Sequence, residues 1–126
     1  MHRSRLAGFI IDCKTDDLES ATRFWSAALG MAPAGRNDEL YERLDASARD
    51  LDIEVQQVQH ESRVHLDIAS DDIDAEAERL VQLGARRIGK VKTWWVMESP
   101  TGQRFCVVHA KNLAGAAGVT TWDTTR

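Results

Sequence analysis

The sequence predicts an α+β domain made of two copies of a βαβββ module, and three observations support this prediction. The first is an internal repeat: residues 10–19 align with residues 65–74, each with an apolar strand-like stretch, a hydroxyl residue, two aspartates and an aliphatic residue. The second is a helix-like apolar period after each copy, followed by the pairs Leu29-Gly30 and Leu83-Gly84. The third is a set of short strand-like stretches after each helix. Self-similarity of this kind indicates a duplicated supersecondary unit.

Each copy of the repeat contains the pattern of a capped, amphipathic helix. In the first copy, Asp16 has the position of an N-cap, with Glu19 three residues later at capping-box spacing. In the second copy, Ser70 or Asp71 is the expected N-cap, and a glycine ends each helix. The apolar positions form two stripes: Leu18, Ala21, Trp25, Ala28 and Leu29 in one, and Ile73, Ala77, Leu80 and Val81 in the other. The charged residues of the second helix are assigned to its solvent-exposed face: Glu76, Glu78 and Arg79.

Short strand-like stretches follow each helix. They cover residues 31–34, 39–44 and 51–58 in the first copy, and 86–91, 93–98 and 104–109 in the second. A Pro-Thr-Gly turn at 100–102 separates the last two. We therefore place one domain in residues 1–110, with module one at about 5–59 and module two at about 62–109. The tail, 111–126, has no clear period and is expected to be either loose or a packing arm.

Composition narrows the choice of partners and compartment. The 126-residue chain is 43% hydrophobic and 29% charged, which is typical of one globular domain. Its net charge of −4 argues against nucleic acid or an anionic membrane surface as a partner, because both select a basic face. Cys13 and Cys106 lack metal-type spacing and are expected to be free thiols, as is usual inside cells. We predict a cytoplasmic protein.

Four groups of residues carry a resemblance to a known family. They are Ile11-Asp12-Cys13; Arg23-Phe24-Trp25 with Ala28-Leu29-Gly30; Arg63-Val64-His65-Leu66-Asp67 with Asp71-Asp72; and Ser99-Pro100-Thr101-Gly102 before Phe105-Cys106-Val107-Val108. In this order and spacing, the set resembles the vicinal oxygen chelate superfamily of glyoxalases, extradiol dioxygenases and bleomycin-resistance proteins, and its glyoxalase-like branch in particular. The resemblance implies curved, mostly antiparallel sheets around a central cleft, with one helix packed outside each sheet, and frequent homodimers.

The resemblance also names four positions that hold a divalent ion in the metal-dependent members. In this sequence they fall on His65, on Ile10 (or near Gly8 if the loop carries an insertion), on Cys106, and on Gln56 with Glu54 beside it. One imidazole plus one amide or carboxylate is a poor site for a divalent ion. We therefore expect no cofactor. If a metal such as Zn, Ni, Mn or Fe is bound after all, the expected ligands are His65, Gln56 and Glu54.

Strand alternation predicts which side chains line the cleft. The inward positions are Ile10 and Asp12, His65 and Asp67, and Arg104 and Cys106. The two aspartates either pair with Arg104 in a structural role or belong to the site. His65 is either a structural, hydrogen-bonded histidine or a proton shuttle, and Asp12 is better placed than Asp67 to orient its ring.

Two adjacent tryptophans add an aromatic element. Because neighbours on a strand point to opposite faces, one of Trp94 and Trp95 faces the cleft, where it offers a flat wall for a planar ligand, unless it serves only as core. The predicted ligand-binding residues are therefore Asp12, Gln56, Asp67, Trp94, Trp95, Arg104 and Cys106, with His65 as the candidate catalytic residue.

These features predict a metal-free protein that binds a small planar or cationic molecule in the cleft and forms a homodimer. The alternative is a lyase or isomerase that uses His65 for proton transfer, with or without a divalent metal. A third possibility is an accessory domain whose cleft has lost its function, since the same fold serves unrelated chemistries.

Overall fold

The computed structural model describes residues 1–123 and confirms an α+β fold in which the order βαβββ occurs twice. The strands are β1 (His2–Lys14), β2 (Pro33–Asp38), β3 (Tyr41–Leu44), β4 (Asp52–Val58), β5 (Arg63–Ser70), β6 (Arg86–Val91), β7 (Trp94–Glu98), β8 (Arg104–His109) and β9 (Thr120–Trp122). The helices are α1 (Leu18–Leu29) and α2 (Ile73–Gln82), with a 3-10 turn at Ser47–Arg49. Neither α1 nor α2 has the length and apolar character needed to cross a membrane.

Both helices begin one or two residues later than predicted. Their N-caps are Asp17 and Asp72, whose carboxylates accept hydrogen bonds from the backbone N–H three residues on, at 3.1 and 3.0 Å. The hydroxyl of Thr15 accepts the N–H of Asp17, and the hydroxyl of Ser70 accepts that of Asp72. These hydroxyls turn the chain, so the first aspartate of each pair stays outside the helix. The predicted cap at Asp16 is wrong, and so are both candidates for the second helix.

The chain divides into two compact units. The first unit is Gly8–His65; the second unit combines Met1–Ala7 with the chain from Leu66 onward. Strand β1 therefore starts in the second unit and ends in the first, while β5 starts in the first and continues into the second. The seven N-terminal residues thus belong with the second module.

In the first unit the strand order is β2-β3-β4-β1, with β1 and β4 parallel and the other pairs antiparallel. Helix α1 covers one face of this sheet. The core between them consists of Ile11, Leu18, Met31, Leu44, Ala46, Ile53 and Val55. Gly30 follows the last residue of α1, as predicted. Its backbone is left-handed (φ 67°), a conformation that glycine adopts easily at the end of a helix.

In the second unit the order is β5-β8-β7-β6, with β5 and β8 parallel and the other pairs antiparallel. Helix α2 packs on one face. Ala77, Met97 and Val107 form the buried centre of this core, and Phe105 and Trp95 pack against it. The two units thus repeat one arrangement of a helix on a mixed, mostly antiparallel sheet.

The C-terminal tail supplies a strand to the second unit. In β9, Thr120–Trp122 pairs antiparallel with the start of β1, so that Trp122 lies opposite His2. The ring of Trp122 stacks on the guanidinium of Arg79 at 3.8 Å, and its indole N–H donates to Ser4. Of the two expectations for the tail, this segment fits the packing arm. Residues 124–126 of the predicted tail lie outside the described residues.

Two assignments on α2 are wrong. Arg79 was placed on the solvent-exposed face, but its side chain is only 19% exposed. Glu76 was placed on the solvent-exposed face, but its side chain is 0% exposed and accepts hydrogen bonds from His2 and Arg79. The start of β1 covers this part of the helix. Helical periodicity therefore placed Glu76 correctly on the polar stripe, but that stripe is covered by protein instead of solvent.

Candidate functional site

A row of polar side chains crosses the face of the first unit that is opposite to α1. Asp12 on β1 pairs with Gln56 on β4, and Gln56 pairs with Tyr41 on β3. Paired residues of neighbouring strands point to the same face. Ile11 and Val55, which alternate with members of this row, lie in the core under α1. Asp12 therefore lies on the sheet face opposite α1, as strand alternation predicted.

His65 adds an imidazole to this row. Its Nδ1 lies 2.7 Å from Oδ2 of Asp12. The Asp12 side chain is 1% exposed and that of His65 is 14% exposed, so the bond is shielded from water. Because an ionised carboxylate only accepts hydrogen bonds, Nδ1 of His65 carries the proton in this pair. Nε2 is then the ring nitrogen on the side away from Asp12.

The carboxylate of Asp12 is only partly satisfied. Its Oδ2 accepts from His65, whereas Oδ1 is buried without a hydrogen-bond partner among the described residues. A buried carboxylate is costly unless it is paired, so Asp12 depends on the groups beside its Oδ2.

Arg63 is the second cation beside Asp12, and sequence analysis did not single it out. Its Nε lies 3.7 Å from Oδ2 of Asp12, and its side chain is 47% exposed. Arg63 and His65 are two residues apart on β5, so alternation places them on the same face of the strand. That spacing was visible in the sequence and was the signal that could have revealed Arg63.

Tyr41 is the other residue that sequence analysis missed. The amide nitrogen of Gln56 donates a hydrogen bond of 2.7 Å to the phenolic oxygen of Tyr41. The bond fixes both side chains on the polar face. Tyr41 opens the short strand β3, and its pairing with β4 shows which way it points.

Two predicted ligand-binding residues of the second unit are neighbours across its sheet. Asp67 on β5 pairs with Cys106 on β8, and Cys106 pairs with Val96 on β7. Val107, next to Cys106, lies in the core under α2, so Asp67 and Cys106 are on the opposite face. Cys13 and Cys106 are not joined in a disulfide, as predicted.

The two tryptophans are separated by the same alternation. Trp95 pairs with Val107 and packs under α2, where its indole N–H donates to Asp74 at 2.8 Å. Trp94, one residue before, points to the face of Cys106. Trp95 is therefore removed from the ligand-binding set, because α2 covers the face on which it lies.

Arg104 does not have the partner proposed for it. Its Nε donates to Glu98 on the neighbouring strand at 3.3 Å, and Asp12 pairs with His65 and Arg63. Of the two alternatives for Asp12, the structural pairing with Arg104 is therefore wrong. Glu98, which lies opposite Arg104 on β7, accepts the hydrogen bond from the guanidinium instead.

Comparison with known proteins identifies the family of this chain. The model of the glyoxalase-like domain matches residues 8–108, which is most of the chain. The chain belongs to the glyoxalase-like domain family. The match covers both repeats and ends just before the tail. A comparison with curated proteins gave no match.

Solved structures share the fold of this glyoxalase-like domain. Methylmalonyl-CoA epimerase from Mycobacterium tuberculosis has a TM-score of 0.65 at 17% identity, covering 89% of this chain and 92% of that one. The hypothetical protein BH1468 from Bacillus halodurans C-125 has a TM-score of 0.65 at 14% identity, covering 90% and 99%. The Mn(II)-bound glyoxalase from Novosphingobium aromaticivorans has a TM-score of 0.59 at 18% identity, covering 84% of this chain and 40% of that one.

One of these structural neighbours is metal-bound, so the donors of the glyoxalase-like domain were compared with the four positions named above. Ile10 is 3% exposed and has no donor atom. The amide nitrogen of Gln56 is directed at Tyr41, which leaves its amide oxygen as a donor beside the imidazole of His65 and the carboxylate of Glu54. Because Ile10 supplies no ligand, the four-ligand set of the metal-dependent members is incomplete in this chain.

Proposed function

We propose that this glyoxalase-like domain is a lyase or isomerase in which the His65–Asp12 pair transfers a proton of a small-molecule substrate. The sequence alone favoured ligand binding over catalysis. The observation that favours catalysis is the 2.7 Å bond between a buried carboxylate and an imidazole at the polar face of the first unit.

The pair suits proton transfer for physical reasons. Imidazole changes its protonation near neutral pH, so it serves as both base and acid in one catalytic cycle. The carboxylate of Asp12 holds the ring in one orientation and tautomer, and it stabilises the imidazolium that forms when Nε2 takes a proton. His65 would accept a proton from a substrate carbon beside a carbonyl group and return it to the same carbon or its neighbour.

Two structural neighbours have names that agree with this class of reaction. One is an epimerase acting on methylmalonyl-CoA and the other is a glyoxalase. Their likeness to this chain supports the fold, and the proposal for this chain rests on its own His65–Asp12 pair.

We expect the wild-type protein to catalyse hydrogen–deuterium exchange at a carbon next to a carbonyl group. The measurement is ¹H NMR in D₂O with methylmalonyl-CoA and a panel of 2-oxo and 2-hydroxy acids. His65→Gln and Asp12→Asn should each slow the exchange about 100-fold or more, since a positioned acid–base group contributes roughly that much. The control is His109→Gln, at the exposed end of β8, which should exchange at the wild-type rate.

Two results would contradict the proposal. Exchange that His65→Gln leaves unchanged would make the imidazole a structural group. Saturable binding of a panel compound without any exchange would indicate a ligand-binding protein that does not catalyse proton transfer.

We also propose that the reaction needs no bound metal, because Ile10, which has no donor atom, stands at one of the four ligand positions of the metal-dependent members. Elemental analysis of the purified protein should find well under one equivalent of Zn, Ni, Mn or Fe per chain. A stoichiometric metal that is lost in His65→Ala and in Cys106→Ser would overturn this expectation and assign the ligands to β5 and β8.

The homodimer and the cytoplasmic location remain predictions. Several large apolar side chains are exposed on the chain, including Phe24, Val64 and Leu83, and a second copy is the partner we propose for them.

A further inference from the structure

Two cationic side chains, Arg63 and Lys14, lie beside the His65–Asp12 pair. Arg63 lies beside Asp12, and its guanidinium is 3.3 Å from Nε2 of His60. Lys14, two residues after Asp12 on β1, contributes an exposed ammonium that contacts Glu61 at 3.1 Å.

Arg63 and His65 share one carboxylate oxygen. Oδ2 of Asp12 lies 2.7 Å from Nδ1 of His65 and 3.7 Å from Nε of Arg63. Asp12 therefore lies beside both the Arg63 guanidinium and the His65 imidazole, while about half of the Arg63 side chain is exposed to solvent. A guanidinium has five N–H donors in a planar fork, and this fork matches the two oxygens of a carboxylate or phosphate.

The contact between Asp12 and Arg63 is made to Nε at 3.7 Å, and about half of the Arg63 side chain is exposed. The guanidinium therefore keeps N–H donors that an anion can reach from solvent while Asp12 stays in contact with it. A cationic ligand, as expected from the sequence, would instead meet a carboxylate that is already paired.

We propose that Arg63 is an anion-binding, specificity-determining residue, so that the molecule whose proton His65 moves carries a carboxylate or phosphate group. This inference rests on the proposed function and names its substrate class. The exposed side of the Arg63 guanidinium binds the anionic group, and Asp12 holds the other side in place. The reacting carbon then lies near Nε2 of His65, within the reach of a small molecule.

Anion binding is measurable without turnover. The probes are malonate and inorganic phosphate, titrated into ¹⁵N-labelled wild-type protein while the Nε–Hε signal of Arg63 and the ring nitrogens of His65 are followed by NMR. We expect a saturable shift of the Arg63 signal in the millimolar range. The ring nitrogen signals of His65 should shift along the same saturation curve as the Arg63 signal.

Variants separate this binding from a general salt effect. Arg63→Gln should abolish the response of His65 to both probes, and Arg63→Lys should keep part of it, because an ammonium retains the charge but loses the fork. Arg23→Gln is the matched control: Arg23 is an exposed arginine on α1 that pairs with Glu19, and its loss should leave the response unchanged. Circular dichroism and the melting temperature check that the variants stay folded.

The outcomes are distinct. A response to malonate alone assigns a carboxylate substrate, and a response to phosphate alone assigns a phosphate substrate. No response of Arg63 to either probe, or a His65 response that persists in Arg63→Gln, overturns the inference.

In the exchange assay, Arg63→Gln should raise KM for an acidic substrate at least 10-fold with little change for its neutral ester. Exchange that depends on His65 but not on Arg63 would overturn this inference alone, and anion binding without exchange would contradict only the proposed function.

Discussion

Replacing Glu76 by alanine is expected to lower the free energy of unfolding by about 3–5 kcal/mol, the cost of removing one partner from a buried ion pair. The Glu76 carboxylate is fully buried on α2. It accepts 2.8 Å hydrogen bonds from Nε2 of His2 and from two guanidinium nitrogens of Arg79. Without Glu76, a buried imidazole and a mostly buried guanidinium lose their acceptor. Urea unfolding followed by circular dichroism measures the change.

A matched control lies on the same helix. Glu78 pairs with Arg87 and Gln82 in contact with solvent, so Glu78→Ala should cost about 1 kcal/mol or less. Equal losses in the two variants would show that the His2–Glu76–Arg79 network adds nothing beyond a surface ion pair.

The same network predicts how stability responds to acid. Burial alone would raise the pKa of Glu76, but hydrogen bonds, above all from Arg79, lower it below the ordinary value of 4.5. Because the folded carboxyl has the lower pKa, the unfolded state binds more protons in this range. The contribution of Glu76 is therefore complete above about pH 4.5 and is lost as the pH falls through the folded pKa. Stability below that pH should fall less steeply in Glu76→Gln than in the wild type.

Replacing Gly8 by alanine is expected to destabilise the first unit by about 3 kcal/mol, the upper part of the range for overpacking. Gly8 on β1 pairs directly with Asp52 on β4. A Cβ on Gly8 would overlap the backbone carbonyl oxygen of Asp52 and lie 2.6 Å from its carbonyl carbon. Backbone atoms of a paired strand move only if the pairing itself shifts. Thermal unfolding should show a melting temperature lower by roughly 10 °C.

The control for this substitution is Gly89→Ala on β6. A Cβ at Gly89 would meet no described atom within 4 Å, and Gly89 is not among the glycines with a positive φ. Its effect should stay within about 0.5 kcal/mol. If Gly8→Ala proved as stable as Gly89→Ala, the close approach of β1 and β4 at this point would be refuted.

Local patterns in the sequence determined much of this fold. The repeat with its paired aspartates predicted two βαβββ modules, and both were found because a strand, a cap and an amphipathic helix are each encoded within a few neighbouring residues. Alternation along β1 placed Asp12 opposite the helix-covered face, since the period of a strand is two wherever it packs. The cap positions moved because hydroxyl hydrogen bonds compete with the helix for the same turn.

The partners of the charged residues were decided only by the tertiary structure. Glu76 reads as a surface residue on α2, and its burial depends on His2, which is 74 positions earlier in the chain. His65 and Asp12 are 53 positions apart, and the sequence offered both a structural role and a catalytic one for the histidine. Periodicity fixes the face on which a side chain lies, but the atom that it meets there depends on strand register and on which segment covers that face. For this reason the sequence determined the modules and their faces, while the 2.7 Å bond between His65 and Asp12 had to be found in the folded chain.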